Sequence, residues 1–298
     1  MSDLPATETV EPKPLILEPV DIQHDTDPAE DHGPARRIPH LGHAILFFTI
    51  AFFFLTLCGN IVVAAFHIPP ESSDKYPGLE LTAQAASYAL TLLAAVWLFP
   101  RLWHRSFLQG IEWNFLAFRR RWYWVVGSAI LLSLTVQILS VKFIHQPDKN
   151  PIDELLKTPH GAWLTAAFAV LVAPLVEEIA FRGFLLPALA TAYDWLALDR
   201  TPAGLQRWQN SALNTTSALI FSAIFSSIPF ALLHAGQLSH AWGILGVLYG
   251  VSIIFSFMRI RTHSTACSTL MHATYNLTIF AVLFLSSGGF HHLQSLSK

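Results

Sequence analysis

Ala173-Pro174-Leu175-Val176-Glu177-Glu178-Ile179-Ala180-Phe181-Arg182-Gly183 lies inside an apolar stretch that runs from about Trp163 to Leu189. A stretch of that length can cross a bilayer, which takes about 20 mainly apolar residues. Two adjacent carboxylates and a guanidinium do nothing for insertion, so at membrane depth they are a functional signal by default. Helix geometry separates their tasks. Glu178 and Arg182 are four residues apart and can pair on one face, while Glu177 is turned away by about 100°. Glu177 is then the uncommitted carboxylate, and a carboxylate in a dry, apolar setting is a better base towards water. A structural ion pair between helices is the competing reading; it accounts for Glu178 and Arg182 but leaves Glu177 without a partner.

Outward from this stretch, the chain reads as a polytopic, all-α membrane helix bundle. Hydrophobic residues make up 53% and charged residues only 13% of the 298, with mean hydropathy +0.45, whereas about a quarter of a soluble domain is charged. Seven apolar stretches are expected to span, within a range of six to eight: 44–66, 82–99, 122–144, 163–189, 213–235, 241–258 and 266–286. Arginines collect in alternate loops, at Arg36 and Arg37, Arg101 to Arg121, Arg200 and Arg207, and Arg259 and Arg261. The count is 11 cations on that side against 5 (Lys75, Lys142, Lys149, Lys157, Lys298) on the other. The positive-inside rule then makes the N-terminus cytoplasmic and the C-terminus external.

Residues 1–40 form an acidic, Pro-rich head with nine acids, expected to be disordered. A membrane domain fills 41–290, and 291–298 is a short tail with His291 and His292. No charged segment leading straight into an apolar run opens the chain, so the first span is expected to persist. Phe107, Leu108, Ile111, Phe115 and Phe118 recur at helical spacing beside arginines and suggest an amphipathic helix in the cytoplasmic interface; Ile152–Lys157 is a second short amphipathic piece. Trp97, Trp103, Trp122, Trp124, Trp163 and Trp242 stand at span ends, as belt residues do. Cys58 and Cys267, both in apolar runs, are expected to be packing residues. Nothing marks a nucleic-acid surface or a phosphate loop.

Two later spans carry further polar groups. Phe230-Ala231-Leu232-Leu233-His234 puts Phe230 and His234 at i,i+4, just after Pro229, and His272-Ala273-Thr274-Tyr275-Asn276 puts an imidazole and a carboxamide on one face. His234 could hold or deprotonate a water beside Glu177, and donors such as His272 and Asn276 could stabilise a developing oxyanion. One difficulty stands: under the loop-charge orientation Glu177 lies near mid-membrane, His272 slightly towards the cytoplasm and His234 close to the outer end of its helix, yet the site needs them level; a fifth span beginning near Ser222 or a bent helix after Pro229 would lower His234.

In order, EExxxR (Glu177, Glu178, Arg182), FxxxH (Phe230, His234) and HxxxN (His272, Asn276) resemble the CPBP family, named for CAAX proteases and bacteriocin-processing enzymes and also called Abi. The resemblance covers about Trp163 to Phe284, within a motif-bearing core of 163–286. It implies that 41–290 is an intramembrane protease domain of CAAX type. It further implies that Glu177 and His234 activate water and that His272 and Asn276 stabilise the oxyanion, with Glu178, Arg182 and Phe230 supporting. Two histidines and a glutamate could also ligate a catalytic zinc. HExxH is absent, and the expectation leans away from a metal while leaving its identity as glutamate protease or metalloprotease open. The expected partners are a hydrophobic or membrane-tethered peptide or protein substrate and the lipid bilayer, in a bacterial inner (cell) membrane. Other classes are a non-catalytic scaffold or bacteriocin-immunity protein that binds a peptide with the same cluster, and, more distantly, a proton-coupled carrier.

Overall fold

The computed structural model describes residues 37–68, 76–143 and 155–293. Head residues 1–36, the first three residues of Ile152–Lys157, Lys75 and Lys149, the side chain of Lys142 and the tail beyond 293 lie outside the described residues. Among those described, the chain is helical throughout: α1 Leu41–Ala65, α2 Pro77–Trp103, α3 Phe107–Gly110, α4 Phe115–Phe143, α5 Pro159–Leu196, α6 Pro202–Asn210, α7 Thr216–Leu233, α8 Trp242–Thr262 and α9 Thr265–Ser286. All but α3 and α6 are long and apolar enough to cross a membrane, seven in all among the described residues. Their outer faces are apolar, as lipid requires: α1 buries only Ala44, Phe47 and Cys58 and leaves Phe52 70% exposed.

α5 is the axis of the bundle. Its 38 residues are interrupted by two π-helical turns, Phe168–Val172 and Ile179–Leu185, and each is followed by a proline one residue into the next α-helical segment, Pro174 and Pro187. A proline ring clashes with the carbonyl four residues back, and a π turn moves that carbonyl aside. α9 runs antiparallel to the first half of α5, with Trp163 against Phe284 at one end and His272 against Glu178 further along. α7 runs antiparallel to the second half, with Tyr193 against Phe221 and Phe181 against Phe230. α1 and α2 close the remaining side through Phe47 and Phe99, both packed on Phe184, and α4 backs α9, where Ser133 Oγ donates to the Tyr275 carbonyl.

The expected interfacial helix between the second and third spans is reduced to one turn, α3. Glu112, with φ +51°, breaks the helix, and Phe115 and Phe118 instead open α4. Phe107 and Ile111 are core residues against Trp103 and Phe184. Gly110 is required there, because a Cβ would drive into the Trp103 ring. Trp103 is correspondingly not a belt residue: it is 1% exposed, while Trp97, Trp122, Trp124, Trp163 and Trp242 are exposed as expected. A short amphipathic helix does occur in the loop after α5, as α6, where the sequence reading had none. Cys58 and Cys267 are both buried and unpaired.

Candidate functional site

The depth problem of His234 is solved by the length of α5, which runs past the apolar stretch ending at Leu189 to Leu196. Asp194, in its last turn, accepts from the backbone N–H and the hydroxyl of Thr215 at 2.9 and 2.6 Å, pinning the start of α7 beside the end of α5. From there 17 residues lead back along α5 to Glu177 and 19 lead forward along α7 to His234. At about 1.5 Å per residue the two distances are nearly equal. The expectation erred by measuring depth from the ends of apolar runs rather than from the ends of helices.

Three helices therefore converge. Glu177 Oε2 lies 4.0 Å from His234 Nε2 and 3.9 Å from His272 Nε2. It is buried and has no hydrogen-bond partner. The other nitrogen of each ring is engaged. His234 Nδ1 is 2.9 Å from the Phe230 carbonyl, which can only accept, so Nδ1 carries the proton. His272 Nδ1 is 3.0 Å from Glu178 Oε1, itself 2.9 Å from Arg182 Nη1; a carboxylate paired with arginine accepts, so here too Nδ1 is the donor. In the neutral rings both Nε2 lone pairs then face the Glu177 carboxylate, and no direct hydrogen bond is available among three acceptors. A polar gap of this width is one a water bridges.

Glu178 and Arg182 pair as the spacing predicts, and their surroundings go further. Both are fully buried, and Arg182 Nη2 donates to the backbone carbonyl and hydroxyl oxygen of Ser252 on α8 at 2.6 and 2.7 Å. The guanidinium also lies 4.7 Å from the Phe230 ring centre. Phe230 in turn touches both imidazoles, with centroids 5.2 Å from His234 and 5.8 Å from His272. The ion pair thus ties α5 to α7, α8 and α9, and it orients His272 through Glu178.

Asn276 is anchored to α5 through one of its two amide protons. Its Nδ2 donates to the Ala169 carbonyl at 2.7 Å. That carbonyl is free for a local reason: in the π register the Ala173 N–H reaches the Phe168 carbonyl, the next bond would run from residue 174 to Ala169, and Pro174 has no N–H. Asn276 takes the vacancy, which fixes its amide orientation and leaves one N–H and the amide oxygen uncommitted.

The sequence reading missed three contributors. Tyr88 on α2, bonded by Gln84 at 3.1 Å, is within electrostatic reach of Glu177. Ser252 holds Arg182, and Phe255 lies 4.8 Å, ring to ring, from His272. None stands in a motif; the only local signal was polar residues (Gln84, Ser87, Tyr88, Thr91) recurring along α2. As a metal centre the trio of Glu177, His234 and His272 fits poorly. Ligand atoms around tetrahedral zinc stand about 3.3 Å apart, closer than the 3.9 and 4.0 Å here, and no group of three His, Cys, Asp or Glu among the described residues is disposed to hold an ion.

Residues 159–278, from the first residue of α5 to just past Asn276, match the family model described as type II CAAX prenyl endopeptidase Rce1-like. No curated protein and no solved structure matches the chain. The match encloses all three motifs, and with seven apolar helices around them the chain is an integral membrane protein. Over residues 159–278 the chain is similar to the CAAX proteases of the CPBP type.

Proposed function

We propose that the protein is an intramembrane endopeptidase that hydrolyses peptide bonds of hydrophobic or membrane-tethered substrates. The observation that carries this reading is Glu177 Oε2, buried, unbonded and facing Nε2 of His234 and His272 at 4.0 and 3.9 Å. A water held between Glu177 and His234 loses a proton to them as its oxygen attacks the scissile carbonyl. In its protonated form His272, held through Nδ1–H by Glu178, donates from Nε2 to the oxyanion together with the uncommitted N–H of Asn276. Glu177 returns the proton to the leaving amine. The unbonded Glu177 oxygen facing two imidazole nitrogens supports a water-activating glutamate.

The arginine-bearing loops meet on one face of the bundle: Arg37 bonds the Ser211 and Leu213 carbonyls, and Arg121 bonds the Arg261 carbonyl. By the positive-inside rule this is the cytoplasmic face, with the N-terminus on it.

The test is cleavage of a lipid-tethered fluorogenic peptide by purified protein in nanodiscs, wild type against Glu177→Gln and His234→Ala. Cleavage by wild type and its loss in both variants is expected; equal cleavage by all three sinks the mechanism. In a chelator arm, undiminished rate supports direct water activation, and loss restored by zinc overturns it.

A further inference from the structure

Apart from the candidate catalytic cluster, a cavity of about 270 Å³ opens where the chain enters α1, lined by Arg37, Ile38, His40, His43, Leu102 and Trp103. Its polar side chains are Arg37, His40, His43 and Trp103. The Trp103 indole N–H is buried without a partner in a side chain only 1% exposed. Arg37 Nε is likewise buried without one. The histidines join them by their tautomers: His40 Nδ1 accepts from the Gly42 N–H at 3.2 Å and His43 Nδ1 accepts from the His40 N–H at 3.3 Å, so in each neutral ring the proton is on Nε2. Burial lowers the pKa of the His40 imidazole from its ordinary value, which keeps that ring neutral at pH 7.

Arg37 is held in place by loop acceptors and by a long ion pair with Asp194. Its Nη atoms are spent on loop acceptors, the Ser211 and Leu213 carbonyls and Asn214 Oδ1, and its plane rests 3.6 Å over Trp208. The nearest carboxylate, Asp194, stands 3.9 Å from Nη1 and already accepts two bonds from Thr215. Nε is left for another acceptor. Four donor groups, one of them cationic, around a small cavity call for a compact anion with several oxygens.

We infer that this cavity binds the phosphate of a membrane phospholipid through Arg37, His40, His43 and Trp103. The membrane-facing flank favours a lipid over free phosphate: Leu41, Ile45 and Leu102 are 41%, 65% and 44% exposed beside the cavity and give acyl chains an apolar wall to run along. The site would fasten the first helix to the headgroup layer.

Native mass spectrometry of the full-length protein, titrated with dioleoyl phosphatidic acid, dioleoylglycerol or inorganic phosphate, tests it. Wild type is expected to retain phosphatidic acid and not dioleoylglycerol. Trp103→Phe, which keeps a ring in the core, and His43→Phe should each weaken retention about tenfold, the effect of losing one charge-assisted hydrogen bond. Thermal midpoints within a few degrees of wild type, measured on the same samples, assign that loss to the site rather than to unfolding; if Trp103→Phe falls outside that range, His43→Phe alone decides. Equal retention of dioleoylglycerol, unchanged retention in the well-folded variants, or saturation by inorganic phosphate with no lipid bound would each overturn the inference.

Discussion

The two π-helical turns of α5 have the same construction and opposite surroundings. Each precedes a proline, and each displaces a carbonyl that the following residue cannot bond. At the first, Phe168–Val172, the freed Ala169 carbonyl faces α9 and is taken by Asn276 of the candidate site. The second, Ile179–Leu185, is packed into the aromatic core, with Phe184 among Phe47, Phe99 and Trp103 and with Arg182 locked to Glu178 and Ser252. The same backbone device orients a side chain for chemistry in one place and fills a core in the other. Between the turns stand Glu177 and Glu178, adjacent in sequence, one facing two imidazoles without a hydrogen bond and the other bonded through Oε1 to Arg182 and His272. The difference between these regions is that the first turn hands its freed carbonyl to a side chain of the candidate site, while the second is enclosed by aromatic rings.

That contrast can be broken most sharply at Glu177. Glu177→Gln should lower the cleavage rate by a factor of about 10³ or more, while the thermal midpoint of the detergent-solubilised protein stays within a few degrees, since no hydrogen bond is lost. A large drop in stability would mean that Glu177 is structural after all.

Its neighbour should behave in the opposite way. Glu178→Gln leaves Arg182 buried without its counter-ion and is expected to cost about 3–5 kcal/mol of stability, seen as a strongly lowered unfolding midpoint and poor yield. Because both groups are fully buried, raised salt should not mimic this effect.

A smaller effect is expected where the first π turn meets the site. Pro174→Ala supplies the missing N–H, so Ala169 gains a backbone partner and Asn276 loses its fixed acceptor. The cleavage rate should fall about tenfold, the equivalent of about 1.4 kcal/mol, with the thermal midpoint unchanged or raised. Pro187→Ala, the matching change at the second turn, should alter the rate by less than about twofold. If Pro187→Ala proves the more damaging for cleavage, the two turns have been assigned the wrong roles.

Much of this was legible in the chain because the relevant physics is local. An apolar run of 20 residues commits to a span wherever its neighbours lie, so the seven helices are recovered with shifts only at their ends. The i,i+4 spacings of Glu178 with Arg182 and of Phe230 with His234 follow from helical pitch, and both contacts are present. The failures occurred where ends and partners matter. Phe107 to Phe118 has the period of one helix, yet Glu112 at φ +51° and the burial of Trp103 against Gly110 divide it.

By itself the sequence determined an all-helical membrane bundle with charged and polar groups in its α5, α7 and α9 segments, and it separated the free carboxylate from the paired one. Only the tertiary structure decided that these groups meet. The level of His234 depends on Asp194 holding Thr215, the aim of His272 on Glu178 across helices, and the orientation of Asn276 on a carbonyl freed by Pro174 in another helix. Spans form from the chain's own periodicity and its transfer into lipid, whereas the level of His234, the tautomer of His272 and the amide orientation of Asn276 are set by partners about 20 to 107 residues away, whose positions exist only once the helices have packed.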